Sequence, residues 1–127
     1  MKVFQQDQVK EAKAYALAGG QALHLHRIIV DRSRAPRCFV SAIDRGEDIA
    51  HLFDQDAQRL IATAKKLGVK VILVEHPGTP RQHIDLCGIP LRKARSIARE
   101  CAKQESGVAL FDARDPAQNL SEKEGSP

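Results

Sequence analysis

Residues 69–92 read V-K-V-I-L-V-E-H-P-G-T-P-R-Q-H-I-D-L-C-G-I-P-L-R, an apolar run followed by a polar loop and a basic segment. In strand geometry the run would be apolar on both faces, with Val69, Val71 and Leu73 on one face and Ile72 and Val74 on the other. Such a strand is typical of the centre of a parallel sheet covered by helices. The run therefore predicts a central strand over residues 69–74, with a ligand-binding loop at residues 75–89 beyond its carboxyl end.

The pattern on either side of this run predicts alternating strands and helices. Apolar residues at helical spacing predict helices over residues 8–18, 56–67 and 90–104. Residues with strand propensity predict further strands over residues 22–31, 38–43 and 107–111. Residues 49–53 fit either a hairpin arm or a helical turn. We therefore expect an α/β fold whose open, mostly parallel sheet of about four or five strands is flanked by helices in a Rossmann-like three-layer arrangement.

Length and composition indicate one small domain. The chain has 127 residues, of which 43% are hydrophobic, and this is enough for one core. We expect a single domain over residues 1–111, including a helical extension over residues 1–20, and a disordered acidic tail over residues 112–127. The helix at residues 8–18 has a small, alanine-rich face, which leaves two alternatives: an appendage, or a contact surface in a homodimer.

The distribution of apolar residues and cysteines bears on where the protein works. No apolar run reaches the roughly 20 residues of a membrane span, and the amino terminus lacks the apolar segment of a signal peptide. We therefore expect no membrane partner and a cytoplasmic location. The three cysteines, Cys38, Cys87 and Cys101, contain no C-x-x-C pair, which favours reduced thiols.

Four short motifs carry a resemblance to a known family. They are I-I-V-D at residues 28–31, H-L at residues 51–52, K-L-G at residues 66–68, and H-I-D-L at residues 83–86 followed by Arg92 and Ala94. Over residues 27–98 the chain resembles a family of small bacterial proteins known only as a domain of unknown function. That family has an aromatic residue where Ile84 stands here, and it lacks the long amino-terminal helix. The resemblance implies the α/β class and draws attention to Asp31 and the H-I-D motif, but it implies no activity.

The H-I-D motif is the main candidate for a chemical site. His83 and Asp85 are two residues apart, so in an extended loop both side chains would point the same way, as metal ligands or as a base with its orienting acid. We predict His83, Asp85 and Asp31 as catalytic residues, and His76, His83 and Asp85 as ligands of a divalent metal ion. The alternative is that His83 and Asp85 only cap the following helix.

Basic residues suggest an anionic partner. Lysine and arginine number 20 against 16 acidic residues, and we predict anion binding by Arg81, Arg92, Arg95 and Arg99. The favoured hypothesis is a protein that binds or acts on a phosphorylated small molecule at residues 75–92, as a metal-dependent or His/Asp-based hydrolase. The alternative is a nucleic-acid-binding or regulatory module that uses the basic helix at residues 90–104. The sequence leaves open which ligand binds and whether the protein is an enzyme.

Overall fold

The computed structural model describes the backbone of residues 1–29 and 31–114, with side chains to residue 104. Strands and helices alternate strictly along this part of the chain. Their order is β1 (Lys2–Phe4), α1 (Val9–Leu17), β2 (Ala22–His26), α2 (Arg37–Asp44), β3 (Ile49–Phe53), α3 (Ala57–Lys66), β4 (His83–Leu86) and α4 (Gly88–Arg114). The alternation confirms the α/β class that the sequence predicts.

The sheet is mixed rather than parallel. Its four strands lie in the order β1-β2-β3-β4. Strand β1 is parallel to β2, whereas β2 with β3 and β3 with β4 are antiparallel. The expected open, mostly parallel, Rossmann-like sheet is therefore wrong, and the described residues contain no fifth strand. The reason lies in α2, which packs Phe39 and Ala42 against Ile49 at the start of β3, so that β3 begins beside the end of β2 and runs back.

The predicted central strand at residues 69–74 is also wrong. These residues form no strand, and a single bridge from Glu75 to His83 joins the segment to the sheet. The side chains of the segment still alternate between buried and exposed positions, because Ile72 and Val74 pack on the core. Val71 and Leu73 are exposed. The strand instead comes from the H-I-D-L motif, which was expected in a loop and forms β4.

Other local predictions had mixed outcomes. The helices predicted over residues 56–67 and 90–104 are confirmed as α3 and α4. The strand predicted over residues 38–43 is helix α2, because C-F-V-S-A-I buries Phe39 and Ala42 at a spacing of three. Residues 107–111, predicted as a strand, continue α4.

The two chain ends also differ from expectation. Residues 1–20, expected as a helical extension, provide edge strand β1 as well as helix α1, which buries Ala12 and Ala16. Of the expected disordered tail, residues 112–114 belong to α4, and residues 115–127 lie outside the described residues. Across the described part of the chain, no helix is long and apolar enough to cross a membrane.

The two faces of the sheet are covered differently. One face carries the main core, in which strand residues meet α3 and α4; its buried members are Leu23, Leu25, Ala50, Leu52, Leu60, Ala64, Leu67, Ile84, Leu86, Leu91 and Ala94. On the other face, α1 covers Ala22 and Phe53, and α2 covers Ile49. Between these two small clusters the second face carries polar side chains.

A buried ion pair fixes the connection from β3 to α3. The Asp54 carboxylate is fully buried and accepts hydrogen bonds from the Arg59 guanidinium at 2.7 and 2.8 Å and from Gln21 Nε2 at 2.9 Å. Burial alone would raise the pKa of Asp54, but the hydrogen bonds from Arg59, the Asp56 amide and Gln21 lower it below its usual value. Asp54 therefore stays ionised and joins α3 to the strand before it.

Truncating the core contact of α3 tests the packing of the main core. Leu60 is fully buried in that core, so Leu60→Ala should lower the free energy of unfolding by about 2–5 kcal/mol through lost burial and the cavity left behind. Urea unfolding would measure the change. The exposed neighbour Gln58 provides the control, since Gln58→Ala should change stability by less than about 0.5 kcal/mol. Equal midpoints for the wild type and Leu60→Ala would contradict this packing.

The Asp54 ion pair predicts a pH-dependent contribution to stability. Because the folded state lowers the pKa of Asp54, its ionised form stabilises the fold above the unfolded pKa of about 3.9, and this stabilisation is lost as pH falls through the folded pKa. Asp54→Asn should therefore cost about 1.5–3 kcal/mol at pH 7. That cost should shrink under strongly acidic conditions. Chemical unfolding at pH 7 and at strongly acidic pH would measure the loss of stability, with the exposed Asp7→Asn as control. A loss that does not depend on pH would refute the conclusion that Asp54 is ionised in the folded state.

Candidate functional site

The polar part of the second sheet face is a patch of histidines. His24 pairs with His51 across β2 and β3, and His51 pairs with Asp85 across β3 and β4. Because strand side chains alternate with period two, His26 and His83 lie on this same face. Four of the chain's five histidines therefore meet on one surface, with ring centroids 4.6 Å apart for His26 and His51 and 4.4 Å apart for His51 and His83.

The centre of the patch is a trio that we call the His–Asp cluster: His51, His83 and Asp85. His51 Nδ1 lies 2.8 Å from Asp85 Oδ1, and His83 Nε2 lies 3.3 Å from the same oxygen. One potential ligand atom from each residue falls within 4.8 Å of the other two. The side chains of His51 and Asp85 are partly exposed, at 28% and 23%, whereas His83 is buried. The cluster is thus preformed and open to a ligand.

The proton on His83 can be assigned from its hydrogen bond. His83 Nδ1 lies 2.6 Å from the backbone oxygen of Arg81, and because a carbonyl only accepts, Nδ1 must carry the hydrogen. In a neutral ring Nε2 then presents a lone pair toward the Asp85 carboxylate, which is also an acceptor. Two facing acceptors require a cation between them, either a second proton on His83 or a metal ion. A backbone carbonyl that receives the other ring N–H is typical of metal-binding histidines.

Backbone carbonyls also fix the two outer histidines. His24 Nε2 lies 3.0 Å from the Gln6 oxygen, and His26 Nδ1 lies 3.2 Å from the Ile28 oxygen. The remaining ring nitrogens, His24 Nδ1 and His26 Nε2, are buried without a hydrogen-bond partner. Burial, assisted by the nearby His51, lowers the pKa of His26 to about 4, and burial lowers the pKa of His24 as well. Both rings are therefore neutral at pH 7.

Asp85 supplies the negative charge of the cluster. Burial would raise the pKa of Asp85, but the hydrogen bond from His51 and the adjacent imidazole of His83 hold it well below its ordinary value. The carboxylate is therefore ionised over the whole range in which proteins normally function. It presents a permanent negative charge to the two imidazoles, and this favours the binding of a cation between them.

A cavity of about 410 Å³ lies over the His–Asp cluster. Its rim contains Arg34 and Arg81, whose side chains are exposed, together with Asp31, Glu75 and His76. The Asp31 carboxylate accepts hydrogen bonds from the Ser33 amide and hydroxyl and lies 3.7 Å from Arg34 Nε. The cavity thus brings cationic and anionic side chains to one opening.

The residues singled out by sequence fall into two groups. His76, Arg81, His83, Asp85 and Asp31 all line this cavity. His76 lies beside the cluster, 5.9 Å from His83 between ring centroids, and the cluster of potential ligand atoms contains His51 in its place.

The arginines of α4 lie elsewhere. The Arg95 guanidinium is 3.0 Å from the Asp48 carboxylate, and that of Arg92 is 3.9 Å from the Glu47 carboxylate. Arg99 donates to the Ser96 hydroxyl. None of these three arginines lines the cavity over the His–Asp cluster.

His51 is the important residue that sequence reasoning missed as a site residue. It lies in I-A-H-L-F, residues 49–53, which fitted both a hairpin arm and a helical turn. A strand assignment would have placed His51 opposite in direction to Ala50 and Leu52, on the polar face. The alternation of residues 49–53 therefore indicated a polar position for His51. The pairing of His51 with Asp85 could be found only from the strand register.

A disulfide lies next to this region. Cys38, in the first turn of α2, pairs with Cys87, which directly follows β4, with Cα atoms 6.5 Å apart. The expectation of reduced thiols is therefore wrong for this pair, while Cys101 remains free. The two cysteines are 49 residues apart in sequence, so only the fold brings them together. The bond fastens α2 to the end of the strand that carries Asp85.

Comparison with known proteins adds no assignment. No protein-family model, curated protein or solved structure matches the chain. The resemblance to the uncharacterised bacterial family therefore stays a prediction. The function has to be argued from the geometry of the cavity and the His–Asp cluster.

The disulfide predicts the thiol content of the purified protein. In protein prepared without reductant and then unfolded, only Cys101 should react with a thiol reagent, whereas reduction should release all three cysteines. Cys101→Ser is the matched control and should leave no reactive thiol before reduction. Three reactive thiols in unreduced protein would contradict the bond. Because disulfides are rare in the reducing cytoplasm, the result also bears on the predicted location.

Proposed function

We propose that this protein is a metal-dependent hydrolase of a phosphorylated or otherwise anionic small molecule, with a divalent cation held by the His–Asp cluster. The observation that carries the proposal is the orientation of His83. Its Nδ1 donates to the Arg81 carbonyl at 2.6 Å, and its Nε2 faces Asp85 Oδ1 at 3.3 Å. A cation between these two acceptors would satisfy both.

The donor set and its spacing fit a zinc-type ion. Two imidazoles and one carboxylate are a common ligand set of catalytic zinc sites, which keep a fourth position for water. Ligands about 2.0–2.1 Å from a tetrahedral ion are about 3.3 Å from one another. The distance of 3.3 Å between His83 Nε2 and Asp85 Oδ1 matches that value. The distance of 2.8 Å between His51 Nδ1 and Asp85 Oδ1 is that of a hydrogen bond, which an entering ion would replace. A bound cation would lower the pKa of its water and so supply a nucleophile near neutral pH.

The charges of the cavity support a cation and an anion bound together. The cavity is lined by two arginines, Arg34 and Arg81, and by three carboxylates, Asp31, Glu75 and Asp85. Without a metal ion, an entering phosphate would meet more negative than positive charge. A divalent cation on the cluster reverses that balance. The exposed guanidinium groups could then hold phosphate oxygens in a bidentate way and orient the scissile bond.

His76 is suited to assist the leaving group. It is the one non-glycine residue with positive φ, at 50°, in the described part of the chain, and such conformations are concentrated at functional sites. The Thr79 amide and hydroxyl both donate to its backbone oxygen, at 3.2 and 2.8 Å, and these bonds hold the turn. The exposed imidazole over the cavity can donate a proton to a departing oxygen.

A metal-free reaction is the competing mechanism at the same site. In that case Asp85 would orient His51, and His51 would act as a general base toward water. Loss of turnover on metal removal separates the two mechanisms. The nucleic-acid alternative stays a prediction, and the ion pairs of Arg92 and Arg95 with Glu47 and Asp48 reduce the charge that those arginines offer to a phosphate backbone.

The proposal is tested by metal binding and by metal-dependent turnover. The protein should bind about one zinc ion per chain, and His83→Ala or Asp85→Asn should weaken binding by at least about 100-fold, since even outer partners of a metal site contribute 10- to 100-fold. Equilibrium dialysis with metal analysis would measure this. His76→Ala is the matched control, because it removes a histidine beside the cluster and should retain the metal.

Turnover is measured with aryl phosphate monoesters and diesters. Chelation should abolish hydrolysis, and added zinc or manganese should restore it. The His83→Ala variant should fold, as judged by an unchanged circular dichroism spectrum, and still fail to turn over. Absence of zinc binding, or hydrolysis that persists after complete metal removal, would overturn the metal-dependent proposal.

A further inference from the structure

A second depression adjoins the cavity over the His–Asp cluster. We call it the edge groove, because it runs along the open edge of β4 between the 69–73 segment and the start of α4. Its volume is about 600 Å³, within the range of about 300–1,000 Å³ found for small-molecule sites. Its apolar lining consists mainly of Leu67, Val69, Val71, Leu73, Ile84, Leu86, Ile89 and Pro90.

The edge groove concentrates the exposed apolar side chains of the described residues. Five large hydrophobic side chains are exposed among the described residues, and three of them lie here: Val71 at 83%, Leu73 at 65% and Ile89 at 61%. A fourth, Ile28, lines the neighbouring cavity. Single exposed hydrophobic residues are ordinary, but a contiguous apolar depression marks a site of interaction.

The groove and the cavity share a wall. Pro36, Glu75 and Asp85 line both. Asp85 is the carboxylate of the His–Asp cluster, so the apolar groove begins where the proposed chemistry takes place. A single ligand can therefore have one end in each depression.

We propose that the substrate is an amphiphile, with its anionic head on the His–Asp cluster and an unbranched apolar chain in the edge groove. This inference rests on the proposed function and specifies the substrate class. The groove is suited to hydrocarbon, because its charged residues are few: Lys70, Lys93 and the shared Glu75 and Asp85. A simple sugar phosphate would leave Val71, Leu73 and Ile89 in contact with water.

A second copy of the chain is the other conceivable occupant. Residues 70–74 have no backbone hydrogen bond within the described residues, so a partner strand could pair with them. The shared wall with the cavity favours a small ligand instead, because a strand docked along the segment would not make use of Asp85. The oligomeric state therefore belongs in the test.

The test compares phosphates that differ only in their chains. Metal-loaded wild type would be titrated calorimetrically with inorganic phosphate, butyl phosphate and octyl phosphate. The dissociation constant should fall by about two- to fourfold for each added methylene, as expected for buried CH₂ groups. Leu73→Asp and Ile89→Asp should abolish this dependence and leave the affinity for inorganic phosphate unchanged. Leu17→Asp is the matched control, since Leu17 is 54% exposed but lies outside the groove, and it should behave like wild type.

The outcomes separate this inference from the proposed function. Equal affinity for phosphate and octyl phosphate overturns the amphiphile while leaving the hydrolase intact. Failure of every phosphate to bind the metal-loaded protein overturns both. A dimer in sedimentation that excludes octyl phosphate and dissociates in Leu73→Asp assigns the groove to a second copy, and also overturns the inference.

A further experiment identifies whether the ligand is soluble or part of a membrane. An anionic head on a hydrocarbon chain occurs both in free amphiphiles and in lipids of a bilayer. Flotation of the protein with phosphatidylcholine vesicles that contain dodecyl phosphate reports the second source. Binding to octyl phosphate without flotation supports a soluble amphiphile, and flotation that Leu73→Asp abolishes supports a membrane-presented one.

Discussion

The antiparallel register of β3 and β4 is the constraint on which the rest of the structure depends. Because His51 lies opposite Asp85, alternate residues of both strands are divided between two faces. Ala50, Leu52 and Ile84 are directed into the main core, and the His–Asp cluster forms on the other side. A shift of one residue in either strand would place imidazoles among leucines. The burial of the aliphatic face therefore positions the polar one, and packing energy holds the site in place.

The second face of the sheet is covered at its ends and open at its centre. Helices α1 and α2 cover only its ends, so the histidine patch lies between two small apolar clusters and opens into the cavity. Three of its histidines are oriented by backbone carbonyls: His83 by Arg81, His26 by Ile28 and His24 by Gln6. Since backbone positions follow from strand pairing, the sheet also determines where the ring nitrogens point. Such preorganisation is what catalytic sites require.

Features that depend on a pattern within one segment could be predicted from the sequence, whereas features that depend on contacts between distant segments could not. Helix α3 was predictable, because Leu60, Ala64 and Leu67 repeat at helical spacing and all are buried. The strand at residues 69–74 was predicted from a run that is apolar on both faces. It was wrong because apolar side chains do not show which backbone groups are paired, and one face of the run, with Val71 and Leu73, is exposed. His83 and Asp85 could be selected from their spacing, but their association with His51 depends on a register between strands that no local pattern encodes. The Cys38–Cys87 bond could not be predicted for the same reason, because only the fold brings the two cysteines together.

The strand order β1-β2-β3-β4 has a consequence for how the molecule is made. Every strand lies beside its neighbour in the chain, so the sheet can grow by addition at one edge, without insertion of a strand between two that are already paired. Contacts of this kind close short loops first and favour rapid folding. Two of the three residues of the His–Asp cluster, His83 and Asp85, come from β4, the last strand within the described residues. The first three strands can therefore pair before the His–Asp cluster is complete, so the site is assembled only when β4 joins the sheet.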